Sequence, residues 1–382
     1  MNNHLMIDDH LDILKKTIKL FVKEQVATVE LGQKEYIKEL SPEVVSSLKE
    51  KARAAGLRAL GAKKEWGGAG LSLYERSVIY EEASQHRLGL YHPAGDAFGE
   101  ELPSFLGECT QEQIHSYVEP AVQQGKGCFL AVWEELEDNH LERITCTAEK
   151  DRDEWVINGH KSYIQKMDQS SFGVVLVNCM DETGAVKPTL FIVEKDDHFE
   201  KRETTLIDVQ KSHELFFKDF RIHDRRRIGK VGEGAELVRQ WLTESQVLLA
   251  ARSLGVAVKA LEYAKEYAKI RITRGQPLIE FPSIRSMFGN GIMNLLAARL
   301  LVQDAAKKVD QGKKDARIAA QMAKLYGVET AAKIIDDALQ IHGGAGFAGD
   351  LPIERWYKEI RLAKVDLQKK ETIIEEIAGL YL

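Results

Sequence analysis

The hydrophobic periodicity of the chain changes twice along its 382 residues. Residues 6–122 space their apolar side chains mostly at the interval of an amphipathic helix, and the chain returns to that interval after "GKVGEGAEL". Between 127 and 224 it consists instead of short β-branched and aromatic runs separated by turn residues, such as "FGVVLVNCM" and "TLFIVEK". This order of helical, strand and helical periods predicts an α+β protein.

The changes of period predict three domains. We expect an N-terminal helical domain over 1–125, a middle antiparallel β-barrel or sheet domain over 126–225, and a C-terminal four-helix bundle over 226–382. In the first domain, Ser41 is a predicted N-cap and Gly56 a predicted helix stop. The apolar stripes of the predicted bundle run through 247–261, 287–309, 318–341 and 366–380.

Composition and charge exclude several classes of function. The 53 basic and 59 acidic residues are spread along the chain and give a net charge of -6, which argues against nucleic-acid binding. The four cysteines include no C-x-x-C pair, which fits a reducing cytoplasm, and none of the 11 histidines lies at metal-ligand spacing. We therefore predict no metal. Because no stretch approaches about 18 apolar residues, we also expect no membrane span and a soluble, unexported protein.

A glycine cluster near the C-terminus reads "HGGAGFAGDLP" (342–352) and contains a G-x-G-x-x-G pattern at Gly344, Gly346 and Gly349. That pattern marks a dinucleotide-binding turn only where a strand runs into it and a helix leaves it. The preceding segment has helical periodicity, so a Rossmann site is excluded. Two alternatives remain: the glycines let backbone amides approach a pyrophosphate, or they form a tight helix-to-helix turn without a ligand.

Four spaced motifs resemble those of the acyl-CoA dehydrogenase family. They are "LQIHGGAGFAGDLPIERWYKEIRL" (339–362), "EWGGAGLS" (65–72), "EWVINGHKSYI" (154–164) and "LFFKDFRIHDRRRIGKVGEGAELV" (215–238). The resemblance extends over nearly the whole chain and includes the order of the predicted domains. It implies FAD between barrel and bundle, completed by a neighbouring subunit, with an acyl thioester of CoA or a carrier protein on the other face of the flavin. It also implies a homodimer, a homotetramer or a hetero-oligomer with a homologue, whereas the electron acceptor is not indicated.

The resemblance also implies which residues contact the FAD. The glutamine and the glycine turn of the family signature, which hold the pyrophosphate, match Gln340, Gly343 and Gly344. The family's R-x-x-F-G contact reads "RITRG" here, so Arg271 is kept while Arg274 replaces the aromatic residue. Taken alone, Arg271 is more often a solvated residue of a helix than a phosphate ligand, and its place in the motif makes the two interpretations about equal.

The family's catalytic glutamate is missing from both of its usual places. Dehydrogenation of a thioester needs a carboxylate to take the α-proton while hydride passes to the flavin. The motif I-Y-E-G-T places that carboxylate at Leu367 here, and the alternative place on the first bundle helix is Ser245. Glu244 is the adjacent candidate base, but one residue turns a side chain by about 100° around a helix. The other interpretation of Glu244 is a solvated carboxylate near a helix start.

The segments that border the flavin in the family also differ. The T-E-P-G-x-G-S-D loop reads "WEELEDNH" and keeps only Glu134, while W-I-T reads "YIQ", with Tyr163 and Gln165 at its ends. Gln246 replaces the arginine that usually follows the base on the first bundle helix. Trp133 and Tyr163 either stack on the flavin or fill the space that a cofactor would take.

Two main hypotheses follow. The first is an FAD-dependent oxidoreductase acting on an acyl thioester with altered chemistry, such as oxygen-dependent hydroxylation or an elimination. The alternative is a non-catalytic subunit that pairs with an active homologue. A helical interaction protein is a third hypothesis, disfavoured by the preserved barrel motifs. The acyl chain length depends on pocket depth and is not encoded in any local motif.

Overall fold

The computed structural model describes residues 2–32, 39–134, 141, 143–180, 184–207, 209–380 and 382. It has N-terminal helices, a middle, mostly antiparallel sheet and C-terminal helices, which confirms the predicted α+β fold. The chain divides into a helical unit (1–55, 71–97 and 243–382) and a sheet unit (56–70 and 98–242). The three domain boundaries remain a prediction. Within the described residues, every helix is too short or too polar to cross a membrane.

Among the described residues, six α-helices precede the strands of the main sheet in the sequence and five follow them. They are α1 (Asn2–Phe21), α2 (Ala27–Gly32), α3 (Pro42–Ala54), α4 (Leu73–Ala83), α5 (Gln111–Gln113), α6 (Glu119–Gln124), α7 (Gly234–Ile270), α8 (Pro282–Asp310), α9 (Ala316–His342), α10 (Ile353–Ala363) and α11 (Lys370–Ala378). A π-helical turn, Val22–Val26, joins α1 to α2.

Side-chain caps begin two of the N-terminal helices, and the cap at Ser41 confirms the prediction. The Oγ of Ser41 accepts a hydrogen bond from the backbone N–H of Val44 at 3.4 Å, which caps α3. At α4, the Ser72 and Glu75 side chains form a reciprocal capping box. The helix stop predicted at Gly56 is also present, because that glycine follows α3 with a φ of 74°.

The C-terminal helices differ in length from the four predicted stripes. Three of the stripes lie in the long helices α7, α8 and α9, whereas the fourth, 366–380, contains only the short helix α11. The chain leaves the helical conformation before α11 because Leu367 and Gln368 have left-handed backbones. In addition, α10 forms from the aromatic and basic run that follows the glycine cluster.

The strands of the sheet unit form one main sheet. They are β1 (Gly127–Ala131), β2 (Thr147–Asp151), β3 (Glu154–Gln165), β4 (Ser170–Met180), β5 (Val186–Glu194), β6 (Glu200–Leu206), β7 (Gln210–His223) and β8 (Arg227–Ile228), and a separate pair in the helical unit is β9 (Ile272–Thr273) and β10 (Gln276–Pro277). The order of the main sheet is β6-β7-β3-β2-β4-β5-β8, and β1 pairs with β4. The contacts of β4 with β1 and β2 are parallel and the remaining pairs antiparallel.

One apolar cluster forms the core of the sheet unit. Alternate side chains of β3, β4, β5 and β7 point into it, and its largest members are Trp155, Phe129 and Phe191. The edges of Trp155 and Phe191 meet with ring centroids 5.8 Å apart. Both β1 and β3 contribute to this core; Trp133 follows β1 by two residues and Tyr163 lies near the end of β3, and these are the aromatic residues predicted to border a flavin.

Candidate functional site

The glycine cluster forms an open turn at the end of α9. Gly343 has a φ of 57° and a ψ of -135°, a combination that requires glycine. A Cβ built on Gly343 or Gly344 would have no atom within 4 Å, and both residues are exposed. Gln340 is exposed in the last turn of α9. The turn therefore leaves room for a ligand to approach the backbone, which fits a pyrophosphate.

Arg271 lies at the same end of the helical unit. It follows α7 directly, and its backbone N–H donates to the carbonyl of Tyr267 at 2.9 Å. The Tyr267 ring stacks on His342, the last residue of α9, with ring centroids 4.5 Å apart. The exposed guanidinium of Arg271 and the glycine turn thus come from helix ends that pack together, an arrangement suited to an anion.

Leu367 and Gln368 lie in a turn just before α11. Their φ angles are 53° and 105°, and Lys369 is the N-cap of α11. A φ of 105° strongly favours glycine, the residue that follows the glutamate in I-Y-E-G-T. This conformation supports the predicted register, in which Leu367 occupies the position of the base.

Gln246 connects the two segments in which the family places its base. Its Nε2 donates to the carbonyl of Leu367 at 2.9 Å and to Oε1 of Gln368 at 3.1 Å. Since Ser245 precedes Gln246 on α7, the two base positions belong to segments in direct contact. In the register that the family motifs predict, these two positions carry the hydrocarbon of Leu367 and the hydroxyl of Ser245.

Lys324 also holds this turn, and sequence reasoning missed it. The side chain is buried in α9, and its Nζ donates to the carbonyls of Gln368 at 2.9 Å and Lys364 at 3.1 Å. Burial lowers the pKa of Lys324 to about 8. A signal was present in the sequence, because Lys324 lies four residues from both Ala320 and Val328 on the apolar face of α9.

Glu244 is not the solvated helix-start carboxylate suggested as an alternative. It lies ten residues into α7, its side chain is 17% exposed, and its Oε2 is 3.4 Å from a guanidinium nitrogen of Arg76. Glu244 and Gln246 are two residues apart and therefore point about 200° apart around the helix. The carboxylate consequently faces Arg76, while Gln246 faces Leu367.

The segments that carry Trp133 and Tyr163 are hydrogen-bonded to each other in the sheet unit. Tyr163 is 51% exposed with a φ of 58°, and Trp133 is half-buried outside the core cluster. The N–H of Ser162, the residue before Tyr163, donates to the carbonyl of Trp133 at 2.8 Å. Gln165 is half-buried, and its Oε1 accepts a hydrogen bond from Gln210 at 3.2 Å. The rest of the loop, 135–140, lies outside the described residues.

The contacts of Glu134 indicate a structural role. Its carboxylate lies 2.6 Å from the Nζ of fully buried Lys161 and accepts hydrogen bonds from Thr145 and Cys146. Burial alone would raise the pKa of Glu134, but the charge of Lys161 together with hydrogen bonds from Lys161 and Thr145 outweighs burial and lowers the pKa. The retained glutamate of this loop therefore anchors β1 to β3 within the sheet unit.

One group of potential metal ligands occurs among the described residues. Asp168, Glu203 and His213 come together in the sheet unit, from positions too distant in sequence to form a spacing motif. The Nζ of Lys211 lies 3.5 Å from Glu203 and 3.9 Å from Asp168. Because this ammonium already supplies the positive charge, the group carries no argument for a metal.

Sequence profiles of known families match both helical ends of the chain. The acyl-CoA dehydrogenase N-terminal domain matches residues 8–124, and the acyl-CoA dehydrogenase C-terminal domain matches residues 232–365. These matches place the protein in the class of flavin-dependent oxidoreductases that act on acyl thioesters. The chain belongs to the acyl-CoA dehydrogenase family.

Several characterised proteins are similar over most of their length. The 3-(aryl)acrylate reductase of Clostridium sporogenes is 28% identical over 361 residues, 93% of each chain. The mitochondrial isobutyryl-CoA dehydrogenase of Dictyostelium discoideum is 27% identical over 326 residues, which cover 82% of this chain and 76% of the relative. The butyryl-CoA dehydrogenase of Megasphaera elsdenii has a TM-score of 0.84 at 22% identity, with 97% of each chain covered. That structural likeness shows the fold alone.

Proposed function

We propose that the protein is an FAD-dependent oxidoreductase of an acyl thioester, carried by CoA or a carrier protein, with chemistry altered at the proton-transfer step. The open turn at Gly343 and Gly344, beside the cation of Arg271, supports cofactor binding. The hydrocarbon of Leu367 in the base position supports altered chemistry, since an alkyl group takes no proton.

The proposed roles of the residues follow from their positions. Gln340, Gly343, Gly344 and Arg271 would hold the pyrophosphate of FAD, while Trp133, Tyr163 and Gln165 would border its ring. When bound, FAD supplies a hydride acceptor. Gln246 and Lys324 fix the turn that carries Leu367, so this turn presents a defined apolar surface. Glu244 is the proposed base should a carboxylate act, although Arg76 must then release or share it.

The visible absorption spectrum of the purified protein tests cofactor binding. We expect a flavin spectrum, FAD released on denaturation, and oxygen-free bleaching with at least one member of a panel of acyl thioesters. The variant Gly344→Val tests the site. The added Cβ has no protein atom within 4 Å, so we expect the protein to fold. Because the valine would occupy the open space beside the turn, we expect FAD binding to be lost. Gly379→Val is the control, because Gly379 is an exposed glycine after α11 with a right-handed backbone and its Cβ would meet no atom closer than 3.5 Å.

Retained FAD in Gly344→Val would contradict the proposed cradle. A colourless wild-type protein that takes up no FAD on reconstitution would contradict the function as a whole. Glu244→Gln then tests the base: loss of turnover with FAD still bound supports Glu244, whereas unchanged turnover removes it from the mechanism.

The second candidate is a non-catalytic subunit of a complex with an active homologue. Leu367 and Ser245 favour this role, since a partner chain with a glutamate could carry out the proton transfer. Turnover by this chain alone, with no related chain in the preparation, would exclude this role. Bound FAD without turnover until a homologue is added would support it.

We infer that the protein self-associates as a dimer or tetramer and works in the cytoplasm. An exposed apolar face of α8 supports self-association, because single soluble chains rarely leave such faces open to water. The four cysteines are free, which is usual in reducing compartments.

A further inference from the structure

Arg252 reaches solvent, although the middle of α7 around it is enclosed. Every other residue from 246 to 257 is buried, whereas Arg252 is half-buried. Before this stretch, the nearest positions of α7 that reach solvent are Glu244 and Ser245. An arginine that keeps contact with solvent in an enclosed stretch of helix must reach an opening in the packing, so a cleft of the helical unit extends to Arg252.

Arg252 lies on the same face of α7 as Ser245, one of the two positions at which the family places its base. The two residues are seven positions apart. Seven residues turn a helix through about 700°, so the two side chains leave α7 within about 20° of each other and about 10 Å apart along its axis. Between them on this side of the helix lie Leu248 and Leu249. The face therefore runs from a base position over hydrocarbon to a cation.

The surroundings of Tyr91 place Arg252 near the other base position as well. Burial raises the pKa of the Tyr91 phenol well above its ordinary value, the charges of Asp366 and Glu359 raise it further, and the charge of Arg252 lowers it. Because such effects fall off with distance, these three charged groups surround one phenol. Asp366 directly precedes Leu367, and its Oδ1 accepts a hydrogen bond from the N–H of Leu367 at 3.0 Å. Arg252 thus lies near both positions.

The charge of Arg252 is not balanced by the described residues around it. Its Nε is buried without a hydrogen-bond partner, and the guanidinium forms no ion pair with a described carboxylate. The Oε1 of Glu359 is instead 2.7 Å from Nε of Arg355. The charge of Asp366 acts on Lys324, whose pKa it raises against the effect of burial. Two acids thus face three cations, and an anion that neutralised the remaining charge would gain affinity.

We propose that the acyl chain of the thioester ends in a carboxylate and that Arg252 binds this carboxylate. The inference rests on the proposed function, because it names the substrate class of the same site. The planar guanidinium presents paired N–H donors that match the two oxygens of a carboxylate, and the apolar interval before it suits a methylene chain. One unbalanced positive charge suits a singly charged carboxylate better than a doubly charged phosphate. Arg252 thereby determines specificity at the end of the substrate remote from the reacting carbons.

Oxygen-free calorimetric titration of the full chain tests this substrate class. The ligands are succinyl, glutaryl and adipyl thioesters, each compared with the uncharged butanoyl, pentanoyl or hexanoyl thioester that has the same number of carbon atoms. Thioesters of CoA and of pantetheine are both used, because pantetheine is the arm that CoA shares with carrier proteins. We expect at least one carboxylate-bearing thioester to bind about tenfold or more tightly than its uncharged counterpart.

The outcomes separate this inference from the proposed function. If the uncharged thioesters bind as tightly as the charged ones at every chain length, the role of Arg252 is wrong while the proposed function stands. If every thioester fails to bind, both are overturned.

Variants of Arg252 locate the carboxylate. Arg252→Gln should weaken the charged thioester about tenfold or more without weakening the uncharged one, and Arg252→Lys should restore part of the loss because it keeps the charge. Lys265→Gln removes a charge from an exposed position of α7 and should change neither affinity. A thermal unfolding scan checks that each variant is folded. Equal weakening of both thioesters in Arg252→Gln, or wild-type affinity for the charged one, would overturn the assignment.

Discussion

At the scale of single residues, the turn before α11 holds conformational strain. Leu367 and Gln368 both have positive φ angles, and such angles in non-glycine residues raise the energy by about 1–3 kcal/mol each. Hydrogen bonds from Gln246 and Lys324 hold the turn in this shape. The φ of 105° at Gln368 is one that favours glycine, which is compatible with the predicted register.

This backbone conformation leads to a gain-of-function prediction. Leu367→Glu combined with Gln368→Gly should restore a carboxylate at the base position and relieve strain at the glycine position. We expect α,β-dehydrogenation of an acyl thioester to rise by about 10²–10⁴-fold, the usual contribution of a positioned base. The measurement is anaerobic flavin reduction by acyl-CoA, with Leu367→Gln combined with Gln368→Gly as the matched control. Equal rates in the two variants, with FAD and substrate bound in both, would show that the register is wrong.

At the scale of helices and strands, the crossing of α4 and α7 depends on one glycine. A Cβ on Gly255 would lie 2.1 Å from the carbonyl oxygen of Glu81, so the helices would have to separate. We expect Gly255→Ala to lower the free energy of unfolding by at least about 2 kcal/mol. Gly289→Ala on α8, where a Cβ meets no atom within 4 Å, should instead raise it by up to about 1 kcal/mol. Urea unfolding of both variants checks this, and equal stabilities would contradict the close crossing.

The contact of α9 with the turn before α11 gives a prediction for pH. The pKa of Lys324 is about 8 in the folded protein, below its ordinary value of 10.5, because burial disfavours the ammonium. Between these values the unfolded chain binds more protons, so stability rises with pH from about 8 to 10.5. We expect the unfolding free energy of the wild type minus that of Lys324→Met to increase as the pH is raised over this range. A flat or falling difference, measured by urea unfolding at each pH, would contradict burial of the charged form.

The sequence predicts the elements that contain several buried side chains and misses those whose side chains are mostly exposed. The strands β3, β4, β5 and β7 were predicted because buried residues recur along them. Strand β6 was missed because its residues are mostly exposed, and β2 because Ala148 is its one buried residue. The two positions of the base can be predicted by comparing the sequence with the family motifs. The hydrogen bond from Gln246 to Leu367, however, joins residues 121 positions apart. Local patterns do not encode such a contact, because it depends on how the helices pack.

At the scale of the whole molecule, α8 leaves an apolar face exposed to solvent. Ile292, Met293, Leu296 and Leu300 are between 51% and 68% exposed, and three of them recur every four residues along one side of the helix. A second copy can cover the same face by two-fold symmetry, because an isologous contact pairs identical surfaces. This self-association would match the neighbouring subunit that the family resemblance implies for the flavin site.

The prediction for this face concerns the mass of the protein in solution. Leu296→Lys combined with Leu300→Lys should lower the mass measured by light scattering from a dimer or tetramer to a monomer, because burying two charges without partners is strongly unfavourable. Ser46→Lys combined with Ser47→Lys adds the same charges to exposed positions of α3 and should leave the mass unchanged. A monomeric wild type, or an oligomer that survives the α8 substitutions, would exclude this face as the interface. If FAD content also falls in the monomer, the cofactor depends on both subunits, as the resemblance implies.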